Sequence, residues 1–280
     1  MDEFDDRLER HGGWGSMKSA LGSSLRNLFI NQRDRYSVIH RTVDSHGPIL
    51  VMDSRDKRVM TFDSVYEQSS MSLSEPFRLT HEYTRVMAMV LAFCEPGHIT
   101  LLGLGGGSLL RSFFWLLPEV NVHAIELREK VIEVAKNYFS LPESERIVIS
   151  HNDARHYLKA STPQCTDLIM ADMYHASGMN TLQTQKLFVS ACQRMLTDRG
   201  WLVINFHRMP DFDSRFFRWL CAGFSDIRVC TTSTGNTILF AGKQSPNANA
   251  TQLHERIVAL GERLQDPLTH YFKRMIQISL

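Results

Sequence analysis

The stretch LLGLGGGSLL, residues 101–110, decides the fold. Its first residues belong to the apolar run HITLLGLG, which ends among glycines, and an apolar segment with helical spacing opens near Ser108. Glycine lets the main chain turn tightly and approach a ligand with no Cβ in the way. The helix that follows presents unpaired N–H groups and a partial positive charge at its N-terminus. The pattern therefore predicts strand, loop and helix, with a nucleotide or nucleoside-type cofactor at the carboxyl edge of a sheet. Four of the five residues 103–107 are glycine, namely Gly103, Gly105, Gly106 and Gly107, which weighs against a turn used only for packing.

Outward from this loop, strand and helix alternate. A helix closed by Pro118 leads to NVHAIEL, a second strand, and REKVIEVAKNYF is a helix that groups Val131, Val134, Ala135 and Tyr138. RIVISHND is a third strand, ARHYLK a short helix and DLIMAD a fourth strand. A helix from about Thr184 to Leu196 leads to the fifth strand, GWLVINFH, and SRFFRWLCAGF is again helical. DIRVCTTSTGNTILFAG reads as two strands joined at Thr234-Gly235-Asn236, an antiparallel edge on an otherwise parallel, doubly wound sheet. Phe113-Phe114-Trp115 and Phe216-Phe217-Arg218-Trp219 fit core or interface stripes better than base-stacking platforms.

Before the glycine loop, YSVIHRTV, PILVMDS and RVMTFDS are short strands separated by tight turns. EPFRLTHEYTRVMAMVLAFC has helical length, starts near a proline and puts Leu79, Tyr83, Met87 and Val90 on one stripe. The organisation expected is a leader at 1–35 with a weakly amphipathic docking stretch, then a small β-rich domain with a connecting helix at 36–97. A Rossmann-like cofactor domain follows at 98–243, then a polar linker and a heptad-like helix at 244–280.

Composition narrows the class. The apolar fraction is 43% and the charged fraction 22%, which are ordinary globular values. A formal net charge of +1 supplies no global field for nucleic acid or an anionic membrane. The five cysteines are scattered without Cys-x-x-Cys spacing, so they suit a reducing compartment and call for no metal. The acidic start MDEFDDRLER is unlike a secretory signal, and no run reaches membrane-spanning length. A cytoplasmic protein is expected.

Three acids stand at successive strand ends: Glu126, Asp153 and Asp172. Glu126, about 20 residues past the glycine loop, would serve a dinucleotide as well as any other nucleoside cofactor. Asp153, followed by Ala154 and Tyr157, tips the balance, because an acid there suits an adenine amine and S-adenosyl cofactors are commonly held this way.

On these residues, with YEQSS around Gln68, IELREKVIEVAKNYF and NDARHYL, the chain from about Tyr36 to Gly242 resembles the polyamine aminopropyltransferases, spermidine synthase and its relatives. The resemblance implies a small N-terminal β-domain before a class I methyltransferase-like Rossmann domain. It implies S-adenosylmethionine or its decarboxylated form as donor, with S-adenosylhomocysteine or methylthioadenosine as product. By the same resemblance Glu126 and Leu127 meet the ribose, Asp153 and Ala154 the adenine, and the glycine loop the methionine-derived tail. Gln68, also counted among the cofactor contacts, lines the acceptor side with His81, Glu82 and Tyr83. Asp172 corresponds to the base acting on the attacking amine.

Two positions depart from the family pattern. Gly106 stands where an aspartate grips the amine of the decarboxylated donor, and His175 where a second carboxylate holds a polyamine cation. A diamine is cationic at both ends and its burial demands carboxylates, so these changes argue against efficient use of putrescine. His175 could itself act as a base, its ordinary pKa lying near working pH. Tyr174 could stack on a ligand or cover the sheet edge, and His207 falls on the ligand edge and could face the acceptor.

The leading expectation is a transferase in which a small amine displaces sulfur from an S-adenosyl sulfonium, giving aminopropyl or methyl transfer. A catalytically weakened cofactor-binding sensor or scaffold is the alternative from another class, its terminal segments serving a partner or a homodimer. A nicotinamide-dependent oxidoreductase is a third, with no hydride-transfer constellation to support it.

Overall fold

The computed structural model describes residues 36–62, 67–175, 178–179 and 181–278, with only the backbone of residues 175, 178 and 179. The leader read at 1–35 and the side chain of His175 lie outside the described residues.

The described residues begin with four strands: β1 (Ser37–Asp44), β2 (Gly47–Asp53), β3 (Lys57–Thr61) and β4 (Glu67–Ser72). They pair in chain order as an antiparallel sheet. After α1 (Glu82–Ala88) come β5 (His98–Leu102), α2 (Ser108–Leu116), β6 (Asn121–Glu126), α3 (Glu129–Tyr138), β7 (Ile147–His151) and α4 (Ala154–Ala160). Next are β8 (Thr166–Ala171), the short pair β9 (Tyr174–His175) and β10 (Gly178–Met179), α5 (Lys186–Met195), β11 (Leu196–Phe206) and α6 (Arg215–Gly223). The chain then runs through β12 (Asp226–Thr231), β13 (Thr237–Gly242), α7 (Ala250–Leu264), α8 (Thr269–Arg274) and β14 (Ile276–Ile278).

The large sheet has the order β14-β12-β13-β11-β8-β5-β6-β7. Strands β11, β8, β5, β6 and β7 are parallel, and β13, β12 and β14 continue the sheet antiparallel. This is the mainly parallel, doubly wound sheet with an antiparallel edge that the strand pattern predicts. Alternation along each strand divides the core. Leu101, Met170, Trp201 and Val203 pack on one face with Met87, Val90 and Ile257. Leu102, Ile169, Leu202 and Ile204 pack on the other with Phe188, Cys192 and Phe216. The small sheet buries Ile49, Val51, Met60 and Met71 against Val131 and Val134 on α3 and Phe139 just past its end, which brings its last strand beside the glycine loop.

Two elements depart from the pattern. The helix expected from Glu75 begins only at Glu82, because residues 75–80 form a turn, with the Arg78 N–H donating to the Glu75 carbonyl at 3.0 Å, and are held there by tertiary bonds. The Arg111 side chain donates to the Pro76 carbonyl at 2.8 Å, and the Thr80 hydroxyl donates to the Ser70 carbonyl at 2.9 Å. At the C-terminal end, a second short helix and an edge strand follow the heptad-like helix, and β14 adds to β12. Among the described residues no helix is long and apolar enough to cross a membrane.

Candidate active site

Strand order reverses at β5, which sends β6 and β7 to one side and β8 and β11 to the other. Doubly wound sheets bind ligands in the crevice at such a point, beyond the carboxyl ends of the strands. Here that crevice lies between the glycine loop, which leaves β5, and Asp172, which follows β8.

The loop is held from several directions. Gly103 has φ +95°, and a Cβ on it would overlap the Asp172 carbonyl oxygen. The Gly106 N–H donates to the Ser69 hydroxyl on β4 at 2.7 Å, and a Cβ on Gly106 would lie 2.9 Å from both Phe139 and Ser69. Beneath the loop, Arg111 is buried and donates to the Gly106 carbonyl and, at 2.8 Å, to the Phe139 carbonyl. Burial pulls its pKa down to about 9, and among the described residues no carboxylate is a hydrogen-bond partner of it. Gly105 and Gly107 complete the turn with positive φ, of 53° and 75°.

Glu126 ends β6 buried, with Oε2 accepting from the Leu104 N–H at 2.9 Å and Oε1 from the Arg128 N–H at 2.9 Å. A carboxylate offers about four acceptor sites, so about two remain for a ligand. Leu127 is half-buried, and its carbonyl meets the His151 ring at 3.0 Å. Asp153 caps α4, accepting from the Arg155 N–H at 2.7 Å, and Ala154 is the first helical residue. Gln68 is half-buried on β4, next to Ser69.

Asp172 is partly covered. Its N–H donates to the Leu102 carbonyl at 2.9 Å. Its carboxylate accepts from Asn205 Nδ2 at 2.8 Å and from the Tyr83 hydroxyl. Burial pushes the carboxyl pKa up and these two donors partly restrain it. Burial and the neighbouring carboxylate in turn push the Tyr83 hydroxyl well above its ordinary value, so it stays a proton donor. Tyr174 donates to the Asn205 carbonyl at 3.2 Å, so it is tied to the strand beside Asp172. His207 is exposed past the end of β11, and its backbone, not its ring, bonds Tyr174. The geometry thus brings Asp172, Tyr83 and Tyr174 together, with His207 joined to Tyr174 through its backbone. Ser69, Arg111 and Asn205 join the site without having been read as site residues. Of these, Asn205 carried a signal, a polar side chain inside the apolar run WLVINF.

His81 lies between this cluster and the small sheet. Its ring is 5.5 Å from that of Tyr83, and its Nε2 has no hydrogen-bond partner among the described residues and lies 4.0 Å from Glu67 Oε2. Burial holds its pKa below the ordinary value of 6.5; Glu67 opposes this, and Lys57 and Arg85 reinforce it. The unfolded chain therefore takes up the proton first as pH falls, and His81 withdraws stability from about pH 6.5 downward. Urea melts at pH 7 and pH 5.5 are expected to show a smaller loss for His81→Gln than for the natural chain. An equal loss in both would remove His81 from the account.

Comparison with known proteins adds the family. No protein-family model matches the chain. A polyamine aminopropyltransferase of Neisseria meningitidis serogroup A is 31% identical over 215 residues, 75% of this chain and 80% of that protein. The chain belongs to the polyamine aminopropyltransferase family. Another polyamine aminopropyltransferase, from Chromobacterium violaceum, is 29% identical over 213 residues, 75% of this chain and 81% of that one. Among solved structures, a probable spermidine synthase from Corynebacterium glutamicum superposes with TM-score 0.68 at 22% identity, over 79% of this chain and 88% of that one. Human methyltransferase-like protein 13 in complex with SAH does so with TM-score 0.58 at 23% identity, over 67% and 94%. These two share the fold. The family's members are transferases, and neither the sensor or scaffold reading nor the oxidoreductase reading gains support from them.

Proposed function

We propose that this aminopropyltransferase-family protein alkylates a small amine from an S-adenosyl sulfonium donor, with Asp172 as the base. The carrying observation is the position of Asp172 at the switch point, its carbonyl against Gly103 and its carboxylate held by Asn205 and Tyr83. The amine nitrogen attacks the carbon bonded to sulfur. The C–S bond breaks, its electron pair returns to sulfur to leave a neutral thioether, and Asp172 takes the proton from nitrogen. A carboxyl pKa raised by burial makes a better base than an exposed one. Glu126 and Leu127 bind the ribose, Asp153 and Ala154 the adenine, and the glycine loop with Gln68 the donor tail. His81, Tyr83 and Tyr174 face the acceptor. With the decarboxylated donor the group moved is aminopropyl and the product methylthioadenosine, as the names of the relatives suggest.

One observation favours a second reading of the donor. Gly106 has no room for a side chain, and the buried guanidinium beneath it adds positive charge where the donor tail would lie. Such a field disfavours the decarboxylated donor, whose tail ammonium has no carboxylate beside it, and favours S-adenosylmethionine with its carboxylate, which would deliver methyl and leave S-adenosylhomocysteine. Thermal shift with the two donors, the two products and NAD separates the cases. Stabilisation by methylthioadenosine and the decarboxylated donor is expected for aminopropyl transfer; stronger stabilisation by S-adenosylmethionine and S-adenosylhomocysteine supports the second reading. A response to NAD alone would sink both.

A further inference from the structure

We propose that Asn205 is a positioning residue for the Asp172 carboxylate, one member of a closed ring of hydrogen bonds that passes through the β12–β13 hairpin. Asn205 lies on β11 at 1% exposure, a depth at which each polar atom needs a partner. Its Nδ2 donates to Asp172 Oδ1 at 2.8 Å, and its Oδ1 accepts from Asn236 Nδ2 at 3.0 Å. Its carbonyl accepts from Gln183 Nε2 at 3.3 Å and from the Tyr174 hydroxyl at 3.2 Å. Gln183 Oε1 in turn accepts from the Met173 N–H at 3.0 Å, so the residue following Asp172 is tied to the same strand.

The amide has one workable orientation. An ionised carboxylate only accepts, so the NH2 group must face Asp172, and Asn236 then finds an oxygen to donate to. Turning the amide over would set oxygen against carboxylate and NH2 against NH2.

The ring closes through the hairpin. Asn236 donates its N–H to the Thr232 hydroxyl at 3.0 Å, and its carbonyl accepts from the Thr232 N–H at 2.8 Å. The next residues of that turn, Ser233 and Thr234, donate their N–H groups to the Glu82 carboxylate at 2.9 and 3.3 Å. Burial opposes that charge, yet the hydrogen bonds from Ser233 and Thr234 hold the Glu82 carboxyl below its ordinary pKa. Glu82 directly precedes Tyr83, the second donor to Asp172. Both ligands of the carboxylate are thus fixed by one clamp, Tyr83 from the helix side and Asn205 from the hairpin side.

The inference rests on the reading of Asp172 as the base, and its test needs no turnover. It is a carbon-13 carboxyl titration of the full chain without substrate, the Asp172 signal assigned by its loss in Asp172→Asn. A donor to a carboxylate favours the charged form, so Asn205→Ala is expected to raise the Asp172 midpoint by about one pH unit or more. Asn236→Ala, at a half-buried position, moves it the same way by less. Ile204→Val, at the buried neighbour, lowers stability and leaves the midpoint in place. Should Asn205→Ala fail to fold, the Asn236→Ala midpoint decides. Midpoints within about 0.3 unit of the natural chain in the folded variants, or an equal shift in Ile204→Val, overturn the inference. Failure of the transferase reading would show instead in the donor panel.

Discussion

Asp172→Asn is expected to lower amine alkylation by roughly 10³-fold while the chain stays folded and melts at a higher temperature. The loss follows from the base: an amide cannot take the proton that the attacking nitrogen must release. The gain follows from burial, which pushes the Asp172 pKa up and so marks the ionised carboxylate as a burden on the folded state near neutral pH. Asparagine keeps the local pattern, since its oxygen accepts from Asn205 Nδ2 and its NH2 can turn to the Tyr83 oxygen. Opposite effects on activity and stability are the signature of a site that gives up stability for function. Mass-spectrometric turnover over an amine panel with either donor, and a thermal melt, read the two effects. Unchanged turnover would remove Asp172 as base, and a lower melting temperature would mean that the surrounding bonds depend on its charge.

Gly103→Ala is expected to weaken methylthioadenosine binding by more than tenfold and to cost about 3 kcal/mol of stability. Two effects add. A residue with a Cβ at φ +95° is strained by about 1–2 kcal/mol. The new Cβ would also meet the Asp172 carbonyl oxygen, which is backbone and cannot swing aside, so the loop or the end of β8 must move. In a chain of this size the melting temperature should fall by roughly 6–10 °C. Gly47→Ala separates the effects, because φ there is +107° but a Cβ would meet nothing within 4 Å. It should show the backbone strain alone and leave ligand binding intact. Equal losses in the two variants would mean that the close approach of Gly103 to Asp172 carries no weight.

The run into Gly103, the alternation of strands and helices and the acids at 126, 153 and 172 were legible because each depends on a few consecutive residues and their period. The start of the connecting helix was not. Glu75-Pro76 has a helix-opening pattern, but bonds to Arg111 and Ser70, distant in sequence, hold residues 75–80 in a turn that does not continue as helix. Ser69 could be seen only as part of the segment around Gln68, and its use as the acceptor for the Gly106 N–H depends on how the small sheet packs over α3. Asn205 stood out as polar within an apolar strand, yet nothing local said that its partners would be Asp172 and Asn236.

By itself the amino-acid sequence determined the fold class, the glycine loop and the strand ends from which a site could be built. Those features follow from backbone sterics and side-chain periodicity, which act within a few residues. The tertiary structure decided which donors face Asp172, that Arg111 lies buried beneath Gly106, and that a hairpin some sixty residues further on braces the base. Hydrogen-bond partners are selected by the distances that packing creates, so they exist only once the sheet and its helices have closed around them.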